Sequence, residues 1–305
     1  MALTSEISSL TQRYLVPKLI DNIFDSNALF QRARKKKWYE TLDGGTTIDQ
    51  PLLYATTGNA MRYSGSETLN TADSQQITSA TFDWKEYAVS IPVTRIDELK
   101  NSGKQAIINH VKAKVQAAEK SLKDLLGTDL FGDGTTAKAI LGLRLLTNIT
   151  GTFGGLAKGT YSWWQGKLDS TTTALTMSAL QGTIGNVTVD SDRPSVIVLT
   201  QDLYDDLYSA LQPQQRFADE DTFKAGFTNL ICNGIPCIVD SKCPSGYLFA
   251  LNEGYLHLYA HKDENFRFAP FRQPTNQNAK VAQIFWTGAL TSDNCRMQAC
   301  MSALV

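Results

Sequence analysis

The longest regular apolar spacing lies between Lys104 and Leu126. Ile107, Val111, Val115, Ala118, Leu122 and Leu125 recur three and four residues apart, while Lys112, Glu119, Lys120, Lys123 and Asp124 are placed on the other face. That spacing predicts an amphipathic helix over 104–126, stopped by Gly103 and Gly127. At ~1.5 Å per residue it spans roughly 35 Å, long for a globular helix, and predicts the spine of an elongated subunit.

A different period precedes it. After the break at Gly44-Gly45, Thr46, Ile48, Leu52 and Tyr54 alternate as a strand. From Ala80 the strand signal returns. Phe82 and Trp84 share one parity, whereas Tyr87, Val89, Ile91 and Val93 share the other. A parity switch inside one strand predicts a bulge or strong twist near Lys85 and Glu86. From Ala55 to Ser79 the only large apolar residues are Met61, Tyr63, Leu69 and Ile77. Inside a compact domain a structureless loop of that length is unusual. The pattern therefore predicts a projecting two-stranded arm. An isolated hairpin is marginal in water, so its faces are expected to be covered by another chain.

Elsewhere the elements are shorter. Leu3, Ile7, Leu10 and Tyr14 predict one helix, and Leu19, Ile20, Ile23 and Phe24 a second that opens at Pro17. Leu141–Leu146 is a brief apolar run, followed by a glycine- and aromatic-rich connection through Phe153-Gly154-Gly155 and Tyr161-Ser162-Trp163-Trp164. Thr176 can cap a helix carrying Met177, Leu180 and Ile184. Val196–Leu199 reads as a buried strand and Leu203, Leu207 and Leu211 as the helix after it, with a polar loop over 212–221. Strands follow at 237–239, 247–251 and 256–260. Cys295, Met297, Ala299, Met301 and Ala303 alternate with Arg296, Gln298 and Ser302, which predicts a half-buried final strand. The mixture is an α+β chain without internal repeats.

With 42% hydrophobic residues the chain can build a large core, and a net charge of -1 gives no global attraction to DNA or an acidic membrane. Met1–Ser9 is polar, so no secretory leader is expected, and no apolar run reaches the ~20 residues of a membrane span. The five cysteines are odd in number and form no C-x-x-C pair, which predicts reduced, mostly buried thiols. Arg32, Arg34, Lys35, Lys36 and Lys37 form a basic cluster, either a solvated face or a contact for phosphates or for an acidic groove on a neighbour. His110, His257 and His261 have no metal-ligand spacing, and there is no G-x-S-x-G elbow. Gly154–Thr160 has Gly159 where a phosphate loop needs lysine. Asp129 and Asp133 beside Gly132 and Gly134 read as a turn rather than a calcium loop, and Asp219–Asp221 as solvated charge. No catalytic, cofactor-binding or metal-ligating residue is predicted, which argues against an enzyme.

The order of the parts resembles the major capsid proteins of tailed phages, the Hong Kong 97-like fold. The resemblance rests on the polar arm between Ile48 and Val93 and on the spine running into Leu130-Phe131-Gly132-Asp133-Gly134-Thr135 and Gly142-Leu143. It rests also on Ser195–Thr200 with its helix, on Gly234–Val239, and on Phe153-Gly154-Gly155 with Trp163-Trp164. It implies an α+β subunit with an N-terminal arm (1–38) and an extended β-hairpin loop (39–88). A peripheral domain would take 89–137 and 263–305, with the spine helix over 104–126, and an axial domain 138–262. It implies further that copies assemble as hexamers and pentamers into the icosahedral head shell around double-stranded DNA, in the virion, after assembly in the host cytoplasm. Expected partners are other copies, a separate scaffolding protein, a portal, and packaged DNA through non-specific inner-surface contact, with no membrane and no cofactor. A cellular nanocompartment shell of the same fold, or an enzyme or ligand binder on an unrecognised α+β fold, are the alternatives. Some relatives cross-link an extended-loop lysine to a neighbour. Between Gly44 and Ser79 there is no lysine, and Lys85 lies on the returning strand, so a shell held without covalent links is expected.

Overall fold

A computed structural model describes residues 27–96, 104–170, 174–215, 230–274 and 278–304, without the side chains at 104–111, 113 and 212–215. The two helices expected before Phe24, the Asp219–Asp221 cluster and the His110 side chain lie outside the described residues.

In chain order the elements begin with α1 (Ala28–Lys35), β1 (Tyr39–Leu42), β2 (Thr47–Leu53), β3 (Ile77–Asp83), β4 (Lys85–Thr94) and α2 (Lys104–Leu130). Next come α3 (Leu143–Thr147), β5 (Thr152–Phe153), β6 (Leu156–Ala157), β7 (Lys167–Ser170), α4 (Met177–Val187), β8 (Val196–Leu199) and α5 (Gln201–Gln215). The chain closes with β9 (Ile231–Cys232), β10 (Ile235–Val239), β11 (Leu248–Leu251), β12 (Leu256–His261), β13 (Arg267–Arg272), β14 (Ala279–Ser292) and β15 (Ala299–Ser302). Helix α5 thus continues to Gln215, past the expected loop start at Gln212.

The spine helix α2 continues through Gly127 to Leu130. Glycine serves there for close approach, not as a stop. A Cβ at 127 would lie 2.7 Å from Asn27 Nδ2 and 3.0 Å from Lys242 Cγ. The helix ends one turn later, where the Gly132 amide donates to the Asp129 carbonyl (2.9 Å). Its buried stripe is Val115, Ala118, Leu122, Leu126 and Leu130. Two assignments of the face change. At 100° per residue, Glu119 falls about 40° from Val115 and within the stripe, whereas Leu125 falls about 80° to the other side. Accordingly Glu119 is 7% exposed and Leu125 45%.

In the five-stranded sheet the long β14 pairs with β4 from Ala279 to Gly288 and with β12 and β13, while β1 joins β12 in parallel. The six-stranded sheet runs β7-β15-β11-β8-β10-β9. This second sheet divides two cores. Val196 and Val198 of β8, Phe249 and Leu251 of β11 and Cys300 of β15 face the core that holds α2 and the five-stranded sheet. Ile197, Leu199, Leu248, Ala250, Ala299 and Met301 face the core under α4 and α5. A strand covered on both faces needs an unbroken apolar run, which is why 196–199 and 248–251 show no alternation. The same position explains β15, which is not half-buried as its alternation predicted. It is buried throughout, flanked by β7 and β11, and Cys295–Met297 before it is a 3-10 turn. Gln298, fully buried, satisfies its amide by accepting from the Asn252 N–H and donating to the Asn252 carbonyl, both at 2.9 Å.

The parity switch near Lys85 is not a bulge within one strand. At Trp84 the chain leaves one sheet, the β2–β3 hairpin, and enters another, the β4–β14 ladder. Each strand keeps its own face, so the parity changes where the partner changes.

Candidate assembly surface

The arm is an antiparallel ladder from Thr47 opposite Asp83 to Leu53 opposite Ile77, continued by an irregular tip over 54–76. Its two faces differ. Ile48, Leu52, Ala80 and Phe82 are buried, whereas Asp49, Pro51, Leu53, Ile77, Ser79, Thr81 and Asp83 are exposed. Leu53 and Ile77, directly opposite one another, are 74% and 64% exposed, and Met61, Tyr63 and Leu69 on the tip are exposed as well. The expectation that another chain must cover both faces is therefore corrected: the subunit covers the inner face itself.

The cover is the glycine- and aromatic-rich connection. β5 and β6 form a tight hairpin through Gly154 and Gly155. Phe153 meets Phe82 edge to face with ring centroids 5.1 Å apart, and the Thr81 amide donates to the Gly154 carbonyl (2.9 Å). Further along the arm Tyr54 stacks on Trp163 at 5.3 Å. Each large apolar side chain buried in this way contributes about 1.5–3 kcal/mol, which converts a marginal hairpin into an anchored one.

Lys158 holds that connection in shape. Fully buried, its ammonium donates to the carbonyls of Leu145 (2.8 Å), Leu146 (2.6 Å) and Asn148 (3.0 Å), at the C-terminal end of α3 and its cap. Its own amide closes on Gly151 and its carbonyl accepts from Gln165 Nε2. Burial pushes its pKa down to about 8. Beside it, the Trp164 indole N–H donates to the Phe153 carbonyl (2.9 Å). In the sequence Lys158 is a single lysine between Ala157 and Gly159 with no periodic partner, so only the folded turn discloses its role.

The arm's root is polar. Trp84 Nε1 donates to the Gly45 carbonyl (2.9 Å), its ring meets His261 at 5.6 Å, and Lys262 pairs with Asp43 at 3.0 Å. The basic cluster divides in two. Arg32 grips Glu253 with two bonds, 2.7 and 2.9 Å, and reaches the Ser195 carbonyl, so it ties α1 to the body. Lys35, Lys36 and Lys37 are exposed.

The remaining candidates for chemistry have structural partners. His257 pairs with Asp293 at 3.0 Å, and that bond raises its pKa. His261 accepts from the Asp263 amide. Asp129 accepts from the Tyr87 hydroxyl (2.7 Å), and Asp133 accepts from the Thr135 amide and hydroxyl. All five cysteines are buried and free, and burial pushes the Cys295 and Cys300 thiols up to about 12. Among the described residues no group of three or more His, Cys, Asp or Glu is placed to hold a metal, and no helix is long and apolar enough to cross a membrane.

Three comparisons with known proteins bear on this geometry. No family model matches the chain, and no curated protein matches it. Solved structures do. The capsid asymmetric unit of cyanophage A-1(L) superposes with a TM-score of 0.63 at 15% identity, over 87% of this chain and 90% of that one. The chain has the Hong Kong 97-like capsid fold. The capsid of a native GTA particle gives a TM-score of 0.58 at 13% identity over 90% of each chain. The SrpI encapsulin of Synechococcus elongatus PCC 7942 gives 0.54 at 10% identity, over 87% of this chain and 84% of that one.

Proposed function

We propose that the protein is the major capsid protein of a tailed phage, a non-enzymatic subunit whose copies assemble as hexamers and pentamers into the icosahedral shell around double-stranded DNA. The observation that carries this reading is the asymmetry of the arm, on a chain with a capsid fold. A well-packed body projects a hairpin with one face finished and the other, with its tip, presenting Leu53, Ile77, Met61, Tyr63 and Leu69 to solvent. Exposed apolar residues gathered on one projection mark an interaction site. Closed symmetry supplies the same neighbour to every copy.

In this reading 1–38 is the N-terminal arm, with α1 docked on the body through Arg32 and Glu253. The extended loop is narrower than 39–88, because Tyr39–Leu42 and Lys85–Thr94 are strands of the five-stranded sheet. That sheet and α2 form the peripheral part. The six-stranded sheet forms the axial part and takes β15 from the segment 263–305. A separate scaffolding protein, a portal and non-specific contact with packaged DNA complete the set of partners. Assembly in the host cytoplasm and residence in the virion belong to the same reading.

Electron microscopy of the purified chain tests it. Closed shells or tubes that package DNA support a phage capsid. Shells holding protein cargo indicate a nanocompartment, and small discrete oligomers an enzyme or ligand binder. Because the arm between Gly44 and Ser79 has no lysine, particles boiled in detergent should run as a single band near 33.6 kDa. A ladder resistant to heat and thiols would overturn the non-covalent assignment.

A further inference from the structure

Among the arm's contacts with its own subunit, the one at Gly154 has almost no slack. Gly154 sits at φ +60°, and a Cβ on it would lie 2.6 Å from Phe82 Cζ and 3.0 Å from Ala80 Cβ. Next to it Gly155 sits at φ +74°, yet a Cβ there would meet only the Thr81 carbonyl, at 3.8 Å. Both glycines have a positive φ and they differ in what they press on. Between the arm's root and the body lies a cleft of about 380 Å³, lined by Thr81, Phe82, Asp83, Leu141 and Leu290 and, from the turn's hairpin, by Thr152 and Gly155. Space thus remains where Gly155 and the body line the cleft, and packing is close at Gly154. The turn itself cannot retreat, because the Lys158 ammonium and the Trp164 indole pin it from behind.

We propose that the Phe153–Gly154 turn is the bearing that sets the arm's angle within each subunit, before any neighbour arrives, and that Gly154 thereby sets the curvature of the shell. This rests on the shell reading above. A rigid arm transmits its angle to the next copy, and a small angular change repeated around a closed assembly changes the radius at which it closes. The bearing makes the arm a fixed strut on its inner side, with a tip free to adapt.

The test compares Gly154→Ala with Gly155→Ala in the full chain. Both carry left-handed strain, but only the first wedges Phe82 away from the turn. Two readouts separate the bearing from the shell. Electron microscopy of the particles should show Gly155→Ala at the wild-type diameter and Gly154→Ala shifted to another diameter or to open sheets and tubes. Wild-type diameters in both variants would overturn the proposal. Hydrogen exchange of the Thr81 amide, which donates to Gly154, reads the bearing in unassembled protein. Exchange about tenfold faster in Gly154→Ala than in Gly155→Ala is expected, and equal rates would overturn it even if no shells form. Should Gly154→Ala give no soluble protein, Tyr54→Ala removes the Trp163 stack and leaves the turn intact. A broader spread of particle diameters, or faster Thr81 exchange, then supports the bearing, and no change in either overturns it.

Discussion

On the inner face of the arm Ile48, Leu52, Ala80 and Phe82 are buried in the subunit's own core, with Ala80 and Phe82 against the Phe153–Gly154 turn; on the outer face Leu53 and Ile77 stand opposite one another in solvent. Both faces follow the same two-residue period and both carry large apolar side chains. The difference lies in what the rest of the chain brings to them. The folded chain has completed one face by intramolecular packing, at its ordinary conformational cost, and in the proposed shell the other face would meet a neighbour. On the proposed reading, stability of the subunit and affinity between subunits lie on opposite sides of one ladder, so each should be changeable without the other.

The ceiling for any effect is set by the body. Leu122 lies fully buried on the stripe of α2. Leu122→Asp should abolish soluble folding, since an unpaired charge placed there costs several kcal/mol against a total stability of roughly 5–15 kcal/mol. Lys120→Ala, on the exposed side of the helix, should leave the soluble yield unchanged. Equal yields from the two would show that the buried face of α2 is misassigned.

The inner face of the arm should come next. Phe82→Ala removes the ring that Phe153 and Gly154 hold, and should destabilise the unassembled subunit by about 3–4 kcal/mol in denaturant unfolding. A loss below about 1 kcal/mol would mean that the turn does not anchor the arm and that both faces depend on neighbours.

How much of this contrast was legible in the sequence follows from which signals are local. The strands of the arm, the long helix and the doubly buried β8 declare themselves through period and composition. The helix cap at Thr176, which accepts from the Ala179 amide (3.2 Å), was equally readable. The cover of the inner face was not readable, because Phe153 lies about seventy positions from Phe82 and nothing in either segment names the other. Lys158 was silent for the same reason: three carbonyls make its site, and carbonyls have no sequence. Gly127 reads as a stop in the sequence because glycine marks helix ends and close contacts alike, and only Asn27 and Lys242 beside it decide between them. The final strand misled through its alternation, since Gln298 and Ser302 are polar yet buried.

Lys158 sharpens the comparison from behind the turn. Lys158→Met keeps the apolar stem and removes the ammonium from three carbonyls; Leu145 and Asn148 keep the Asn148 and Gly166 amides, while the Leu146 carbonyl loses its ammonium donor, and the change should cost about 2 kcal/mol. It also carries a pH signature. Burial lowers the ammonium's pKa in the folded subunit from 10.5 to about 8, so between these values the unfolded chain binds the extra proton. Stability linked to this group therefore rises as pH increases from about 8 to 10.5, and the burial penalty is present in full below that window. Unfolding free energies of the wild type minus those of Lys158→Met should rise across that range. A flat difference would show that Lys158 keeps an ordinary affinity for its proton.

The outer face should give the smallest change in the subunit and the clearest change between subunits. Leu53→Ser combined with Ile77→Ser removes two side chains that touch mostly solvent, so the unassembled subunit should keep its stability to within about 0.5 kcal/mol. In a shell each of them would bury its surface against a neighbour, contributing about 1.5–3 kcal/mol. Losing roughly 3 kcal/mol per contact weakens that contact about a hundredfold, since each 1.4 kcal/mol is a factor of ten. The concentration at which light scattering first detects assembly should rise accordingly, while circular dichroism and the unfolding midpoint stay where they were. An unchanged assembly threshold would remove the outer face from the interface. A subunit destabilised by 2 kcal/mol or more would show that these side chains pack within their own chain, and the contrast between the two faces would disappear.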